Sequence, residues 1–239
     1  MLHKTKGIVL KTTKYSETSI IAKVYTEKFG LQSYMINGVR SAKSKGKSAL
    51  YQHGNILDMV VYHKESGNLF HVSEVRMDVV FTHIPFNIVK SASLLFCIEL
   101  LLKTIKEEEA NNSLFQFLQH AIIFLDETSG SLANYHLVFL LQLSKYAGFF
   151  PNDTEGAFFN LQEGNFQQRP TAASPFMDAP ASKALRNLIH ADFSAAQQIP
   201  IDYHIRKELL QKLLLYYSLH IDHFGEMHSP EILEEVFRK

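Results

Sequence analysis

The chain has 239 residues, 46% of them apolar, enough for one large domain or two modest ones with a real core. No apolar run approaches the roughly 18 residues of a membrane span, and no apolar signal core follows the N-terminal lysines. The one cysteine, Cys97, rules out an internal disulfide and a cysteine-based zinc site, so we expect a cytoplasmic protein.

The formal net charge of zero conceals an uneven distribution of charged residues. Residues 1–80 hold twelve Lys and Arg against six Asp and Glu, whereas residues 81–239 hold twelve against eighteen. This division predicts two domains with different partners, although chance clustering of solvated charge would give the same count. The cations are densest in Arg40–Lys47, where four lie within eight residues among small, flexible ones. A basic loop of this kind can meet a phosphate backbone.

Five β-strands are predicted in the first domain, residues 1–80, because short β-branched and aromatic runs alternate with turn residues. Gly30, in one of these turns, can adopt a positive φ. The predicted strands are Lys6–Lys11, Thr18–Thr26, Leu31–Val39, Gly54–His63 and Leu69–Val75. This number indicates a small closed barrel, either an OB-fold, which binds single-stranded nucleic acid, or an SH3-like barrel.

Tyrosines in the predicted barrel could stack on bases, but we expect most of them to lie in the core or at its rim. They are Tyr15, Tyr25, Tyr34, Tyr51 and Tyr62.

The second domain, residues 81–239, is predicted to be all-α, because its apolar residues recur at helical spacing. An irregular excursion at about residues 149–180 interrupts it, since that stretch lacks periodicity and is rich in Asn, Gln, Gly and Pro. The predicted helices cover Phe86–Ile105, Ser113–Leu125, Ser131–Ala147, a short segment capped by Ser182, a long segment from the cap Asp202 to about Phe224, and a last one that starts at Ser229-Pro230.

Several motifs resemble, in order and spacing, those of the bacterial recombination-repair mediator family RecO. In the first domain they are Gly7-Ile8-Val9-Leu10, Tyr15-Ser16-Glu17-Thr18-Ser19, Phe29-Gly30-Leu31 and Gly38-Val39-Arg40. Asn37 departs from the pattern, because the family more often has a cation there. In the second domain, Tyr146–Pro151 and Phe166–Arg169 are similar to parts of a four-cysteine zinc module, whose cysteines are absent here. The ending from Tyr216 to Ser229 resembles Bacteroidetes-type members.

The resemblance implies a non-enzymatic mediator of DNA repair and recombination that has no cofactor and no metal. Such a protein binds single- and double-stranded DNA, anneals strands, and with RecR helps load RecA onto DNA covered by single-strand-binding protein. It is expected at the nucleoid. The candidate DNA-binding residues are Lys14, Lys23, Arg40, Lys43, Lys45 and Lys47. For the acidic, aromatic tail of single-strand-binding protein, the candidates are Arg186, Arg206, Lys207 and Lys212.

Two other functions remain open from the residues alone. The barrel could be a protein-interaction adaptor with an incidental basic loop and no direct role in nucleic-acid binding. The histidines near residues 220–228 could belong to a metal-dependent hydrolase, although a helix C-terminus also favours histidine. No phosphate-binding glycine loop and no nucleophile motif is present.

Overall fold

The computed structural model describes residues 1–39, 46–64, 67–106, 109–170 and 174–238. These ranges separate into two compact units. The first comprises Met1–Asn87 with Ile98–Glu127, and the second comprises Ile88–Cys97 with Thr128–Lys239. No helix in the described ranges combines the length and apolarity that a membrane span requires.

A closed β-barrel forms the first part of the first unit. In the described residues its strands are β1 (Leu2–Lys14), β2 (Ile20–Thr26), β3 (Gly30–Ile36), β4 (Ile56–Tyr62) and β5 (Phe70–Met77). They are ordered β1-β2-β3-β5-β4, and a parallel β3–β5 pairing closes the barrel. The short helix α1 (Lys47–Leu50) lies between β3 and β4 in the chain. This order confirms the predicted OB-fold rather than the SH3-like alternative.

The first strand is long because it pairs with two neighbouring strands over different parts of its length. β1 pairs with β4 over Leu2–Ile8 and with β2 over Gly7–Lys14, so Gly7 lies where the two pairings overlap. A Cβ atom on Gly7 would lie 2.5 Å from Val24 Cγ1 and 2.6 Å from Met59 Cε. Glycine is therefore required there by packing. Gly30 has φ 61°, which confirms the predicted positive-φ turn.

Helices α2 (Ile88–Thr104) and α3 (Asn112–Glu127) follow the barrel. Within the first unit, Phe115 of α3 stacks on Tyr25 of β2, with ring centroids 6.4 Å apart. The buried carboxylate of Asp126 accepts backbone N–H bonds from Thr82, His83 and Ile84 at 2.9, 2.9 and 2.7 Å. These bonds fix the start of the 3₁₀ turn Ile84–Phe86.

The second unit is helical, as predicted, with corrections at three helix ends. Its further helices are α4 (Tyr135–Tyr146), α5 (Ala179–Ile189), α6 (Phe193–Ala196), α7 (Tyr203–His220) and α8 (Ser229–Phe237). Asp202 caps α7 through His204 N–H, as expected, but α7 ends at His220 rather than near Phe224. The helix predicted from Ser131 begins only at Tyr135, because a turn precedes it.

The predicted cap Ser182 is wrong, because Asp178 caps α5 by accepting the Ala181 N–H at 2.8 Å. Ser182 is instead buried, and its hydroxyl accepts the Phe159 N–H at 2.9 Å. That bond ties α5 to the excursion, where β6 (Phe158–Asn160) and β7 (Asn165–Gln167) form a small antiparallel hairpin.

The carboxylate of Asp126 gives a prediction about stability. Burial raises the pKa of Asp126, but hydrogen bonds from Ile84, Thr82 and His83 outweigh burial, so the net pKa lies below the usual value. Asp126→Ala leaves these donors without a charged acceptor, and we expect the free energy of unfolding to fall by roughly 3 kcal/mol.

Urea denaturation followed by circular dichroism measures this loss. The control is Glu127→Ala, which removes the exposed neighbouring carboxylate and should change stability by less than about 0.5 kcal/mol. Equal effects of the two variants would contradict a structural role for Asp126.

Candidate nucleic-acid interface

Several exposed cations of the barrel that lack ion pairs with described residues lie on strands β1 and β2 and at the start of α1. Lys14 and Lys23 project from β1 and β2, and Lys47 opens α1. All three side chains are exposed, and none forms an ion pair with a described residue. The predicted site residues Arg40, Lys43 and Lys45 lie outside the described residues.

Lys11 joins this group, although sequence reasoning did not select it. The β1–β2 register places Lys11 directly opposite Lys23, and both side chains are exposed. Like charges in directly opposed positions destabilise a sheet. An anion bound between the two ammonium groups relieves that repulsion, so this pair of positions is suited to a phosphate.

A β-bulge creates this pairing, which is why the sequence did not reveal it. Val9 pairs with Val24, but the register then shifts by one residue, so that Lys11 rather than Leu10 faces Lys23. A strand pattern with period two predicts which residues are exposed. It does not predict where one extra residue enters the ladder.

Described residues on either side of the basic segment are hydrogen-bonded to β1 and to the β1–β2 turn. Before it, the Ser19 hydroxyl donates to Asn37 Oδ1 at 3.0 Å. After it, the Thr12 hydroxyl donates to the carbonyl oxygen of Tyr51 at 2.8 Å. Asn37, the departure from the family pattern, therefore holds the start of the segment beside the β1–β2 turn.

The β1–β2 turn presents an aromatic ring beside these cations. Ser19 O accepts the Tyr15 and Ser16 N–H groups at 3.1 and 3.3 Å, and the Ser16 hydroxyl accepts the Ser19 N–H at 3.1 Å. This tight turn leaves the Tyr15 side chain 61% exposed next to Lys14. A ring held in this way can stack on a base.

The remaining tyrosines divide into core and surface positions. Tyr25, Tyr34 and Tyr51 are buried, as expected for most of them, and burial raises the pKa of Tyr51 to about 12. Tyr62 is 50% exposed, but it pairs with Leu2, at the opposite end of β1 from Lys14.

Three other cations of the barrel are neutralised within the chain. Arg76 donates to Asp58 at 2.6 Å, and Lys4 lies 3.5 Å from the same carboxylate. The Arg76 hydrogen bond, together with the nearby Lys4 charge, lowers the pKa of Asp58. Lys6 pairs with Asp78 at 2.9 Å. Ion pairs therefore neutralise Lys4, Lys6 and Arg76, whereas Lys11, Lys14, Lys23 and Lys47, like Lys28 and Lys64, form none with a described residue.

Two of the cations predicted to bind a partner contact the excursion. Arg186 Nε donates to Asp153 at 2.9 Å, and its guanidinium lies 3.9 Å from the centroid of Phe166. Lys212 Nζ donates to the carbonyl oxygen of Phe176 at 3.1 Å. The excursion also has its own apolar core, formed by Phe159, Leu161, Phe166 and Met177.

The other two predicted cations lie beside α8. Lys207 Nζ is 2.7 Å from Glu234 Oε2, and Arg206 donates to the carbonyl oxygen of Ile201 at 3.1 Å. Both line a groove that contains the buried ring of His136 and is covered by Leu233 and Phe237 of α8. Sequence patterns did not reveal this arrangement, because His136 lies within an otherwise apolar helix.

The C-terminal histidines do not assemble a metal site in the described residues, which contain no group of three side chains suited to hold a metal ion. His220 contacts the carbonyl oxygen of Leu161 at 3.0 Å and stacks on Phe149, with ring centroids 5.2 Å apart. Cys97 is buried, and burial raises the pKa of its thiol, which makes it a poor nucleophile.

Comparison with known proteins identifies the family. The model "Recombination protein O N terminal" matches residues 1–78, and "Recombination protein O C terminal" matches residues 85–230. The chain belongs to the RecO family. It is 37% identical to DNA repair protein RecO of Flavobacterium psychrophilum over 98% of each chain. It is 35% identical to that of Christiangramia forsetii and 34% identical to that of Bacteroides fragilis, in both cases over 99% of this chain and all of the relative.

Membership of the RecO family extends over the excursion as well as the barrel, because the C-terminal model spans residues 85–230. In this RecO protein the excursion is held by its apolar core and by Arg186, at positions where the resemblance implied a cysteine module.

The buried histidine of the helical unit yields a pH prediction. Burial, assisted by the Arg206 charge, lowers the pKa of His136 to about 3, below the value of about 6.5 in an unfolded chain. The folded state keeps the ring neutral while the unfolded state gains a proton. The contribution of His136 to the free energy of unfolding is therefore complete above pH ~6.5. It is lost as the pH falls towards the pKa of the folded state.

As the pH falls from 7 to 5, the free energy of unfolding should decrease in both proteins. We expect the decrease to be about 2 kcal/mol smaller for His136→Gln than for the unmodified protein. Urea denaturation at both pH values measures the difference. His204→Gln, which removes an exposed histidine, should retain the original pH dependence. If His136→Gln behaves in the same way as His204→Gln, the ring is not buried as described.

Proposed function

We propose that this RecO protein is a DNA repair and recombination mediator that binds single- and double-stranded DNA through the outer surface of β1, β2 and α1. The observation that carries the proposal is the opposed pair Lys11 and Lys23, both exposed and without an anionic partner in the described residues. Lys14 at the end of β1 and Lys47 at the start of α1 are further exposed cations of the same elements. Arg40, Lys43 and Lys45, which lie outside the described residues, remain part of the proposed DNA-binding set.

Binding of this kind neutralises phosphates and carries little sequence information. It allows the protein to act on any damaged strand and to bring two strands together for annealing. Association with the nucleoid follows from the same property. For four phosphate contacts to a single strand, the logarithm of the affinity falls with the logarithm of salt concentration at a slope of about −3.

The partner part of the proposal rests on the family resemblance. We propose that residues 1–80 bind DNA, that residues 81–239 contact the tail of single-strand-binding protein, and that the protein acts with RecR, so that RecA is loaded indirectly. Arg206 and Lys207 remain the stronger candidates for the acidic tail, because they border a groove. Arg186 and Lys212 are engaged with the excursion.

Removing the opposed lysines tests the DNA-binding surface. We expect Lys11→Gln/Lys23→Gln to weaken binding to all single-stranded sequences alike, and to make the salt slope shallower by about 1.4. Fluorescence anisotropy with labelled oligonucleotides of several sequences, titrated at two or more salt concentrations, gives both quantities.

The matched control is Lys145→Gln/Lys183→Gln, which removes the same charge from exposed positions of the helical unit. Its affinity and salt slope should remain those of the unmodified protein. A sequence-selective loss, or equal losses in both double variants, would contradict the proposed surface. Absence of DNA binding by the unmodified protein would favour the adaptor function instead.

Tyr15 provides a second test, which separates base stacking from charge. We expect Tyr15→Ala to weaken single-stranded binding by about 1–3 kcal/mol and to leave the salt slope unchanged, because no charge is removed. Tyr62→Ala is the control, since Tyr62 has similar exposure but lies at the other end of β1. The stacking role is refuted if Tyr62→Ala has the larger effect.

A further inference from the structure

Helix α8 differs from the other long helices of its unit in how little of it is buried. Of its residues, all of which the structure describes, Ser229 and Leu233 are buried. Ile232 is 42% exposed. α7 (Tyr203–His220), by contrast, buries leucines and tyrosines along its length. A nine-residue helix is marginal by itself in water, so α8 depends on a small contact and belongs to the least stable part of the unit.

The surface beneath α8 is a groove with a distinct chemical character. His136 of α4 lies at its base, and Tyr203, Arg206, Lys207 and Leu210 of α7 line its sides. Apolar and aromatic groups therefore form the floor, and two cations lie at the edge. Among the described residues no carboxylate comes within salt-bridge distance of Arg206. Asp202, which caps α7 one turn earlier, interacts with the Arg206 charge, but no carboxylate of α8 does so.

The packing of α8 against the groove is incomplete. A cavity of about 20 Å³ remains among Leu233, Glu234, Phe237 and the groove residues. His136 Nδ1 is buried and has no hydrogen-bond partner in the described residues. Unfilled space and an unpaired buried polar atom both weaken packing. The helix fits the groove without filling it.

The sequence of α8 indicates what the groove accepts. Leu233 enters the groove, and Phe237 lies over His136 with ring centroids 5.6 Å apart. Glu234 binds Lys207 at 2.7 Å. Glu231 and Glu235 add negative charge on either side. The occupant is thus an acidic segment with one large aliphatic residue and an aromatic residue near its end.

We propose that α8 is a displaceable intrachain occupant of this groove, and that an acidic, aromatic-ended peptide of a partner protein binds there in its place. The inference rests on the proposed partner role of residues 81–239 and adds its regulation, because α8 masks the site until a competitor displaces it. The competitor places a carboxylate at Lys207, an aliphatic side chain at the position of Leu233 and an aromatic ring on His136. It can also engage Arg206, which α8 leaves without a carboxylate.

The test uses the full chain and a fluorescent peptide that copies residues 228–238. Leu233→Asp places a charge in the groove and should release α8, whereas Ile232→Asp changes an exposed neighbour and should not. We expect the peptide to bind the Leu233→Asp protein at least tenfold more tightly than it binds either the unmodified protein or Ile232→Asp. Adding Lys207→Glu to Leu233→Asp should abolish this binding.

Hydrogen exchange tests whether Leu233→Asp has released α8 from the groove. Amides of α8 should exchange at least tenfold faster in Leu233→Asp, while those of α7 remain protected. If α7 also loses protection, Phe237→Ala replaces Leu233→Asp as the releasing variant, since it truncates a side chain without adding a buried charge. Equal peptide affinity for the released and unmodified proteins, with α8 demonstrably released, overturns the proposal. So does concentration-dependent dimerisation that Leu233→Asp abolishes, because α8 would then serve a contact between copies.

A second probe, a peptide copying the tail of single-strand-binding protein, separates this inference from the proposed function. If it displaces the α8 peptide, both the groove and the partner are supported. If the α8 peptide binds and the tail peptide does not compete, the displaceable helix is supported and the proposed partner is wrong. DNA affinity should be unchanged in Leu233→Asp, because the barrel carries that activity.

Discussion

Closure of the barrel is the constraint on which the candidate DNA surface depends. A short parallel pairing, Tyr34 with Phe70 and Met35 with His71, joins β3 to β5 and completes the ring of strands. Closure forces β1 to pair with β2 and β4 in the same region, and Gly7 is the residue at which neither neighbour leaves room for a side chain. The positions of the lysines that follow on β1 are set by this geometry.

The distribution of ion pairs makes the surface charge of the barrel uneven. Lys4 and Arg76 share Asp58, and Lys6 is paired with Asp78, so these cations attract little external charge. Lys11 and Lys23, in contrast, face each other. Two unneutralised charges at adjacent positions produce a local potential that screening in water reduces but does not remove. A net charge of zero for the chain is therefore compatible with a surface that binds an anionic polymer.

The cations of the helical unit that were predicted to bind a partner differ in how firmly the fold holds them. Arg186 combines an ion pair with a stacked ring and is committed to the excursion. Lys207 has a single, partly exposed ion pair to a helix that is itself weakly held. Exposed ion pairs contribute little stability, so the contact made by Lys207 can be exchanged for one with a partner at small cost.

The secondary-structure elements and the fold class followed from the amino-acid sequence. Alternating β-branched runs predicted the five barrel strands, helical spacing predicted the second unit, and Asp202 and Ser229-Pro230 marked helix starts correctly. These features are local, because they depend on neighbouring residues and on backbone preferences. The motifs around Tyr15 and Gly38 were sufficient to indicate the family.

The grouping of residues into sites, in contrast, depends on how the whole chain folds. The bulge at Leu10 brings Lys11 opposite Lys23, and folding buries Tyr25 while leaving Tyr15 exposed. The partners of Arg186 lie more than thirty positions away, at Asp153 and Thr154. Such pairings depend on strand register and on helix packing across the fold. A pattern that repeats every two or four residues carries no information about either.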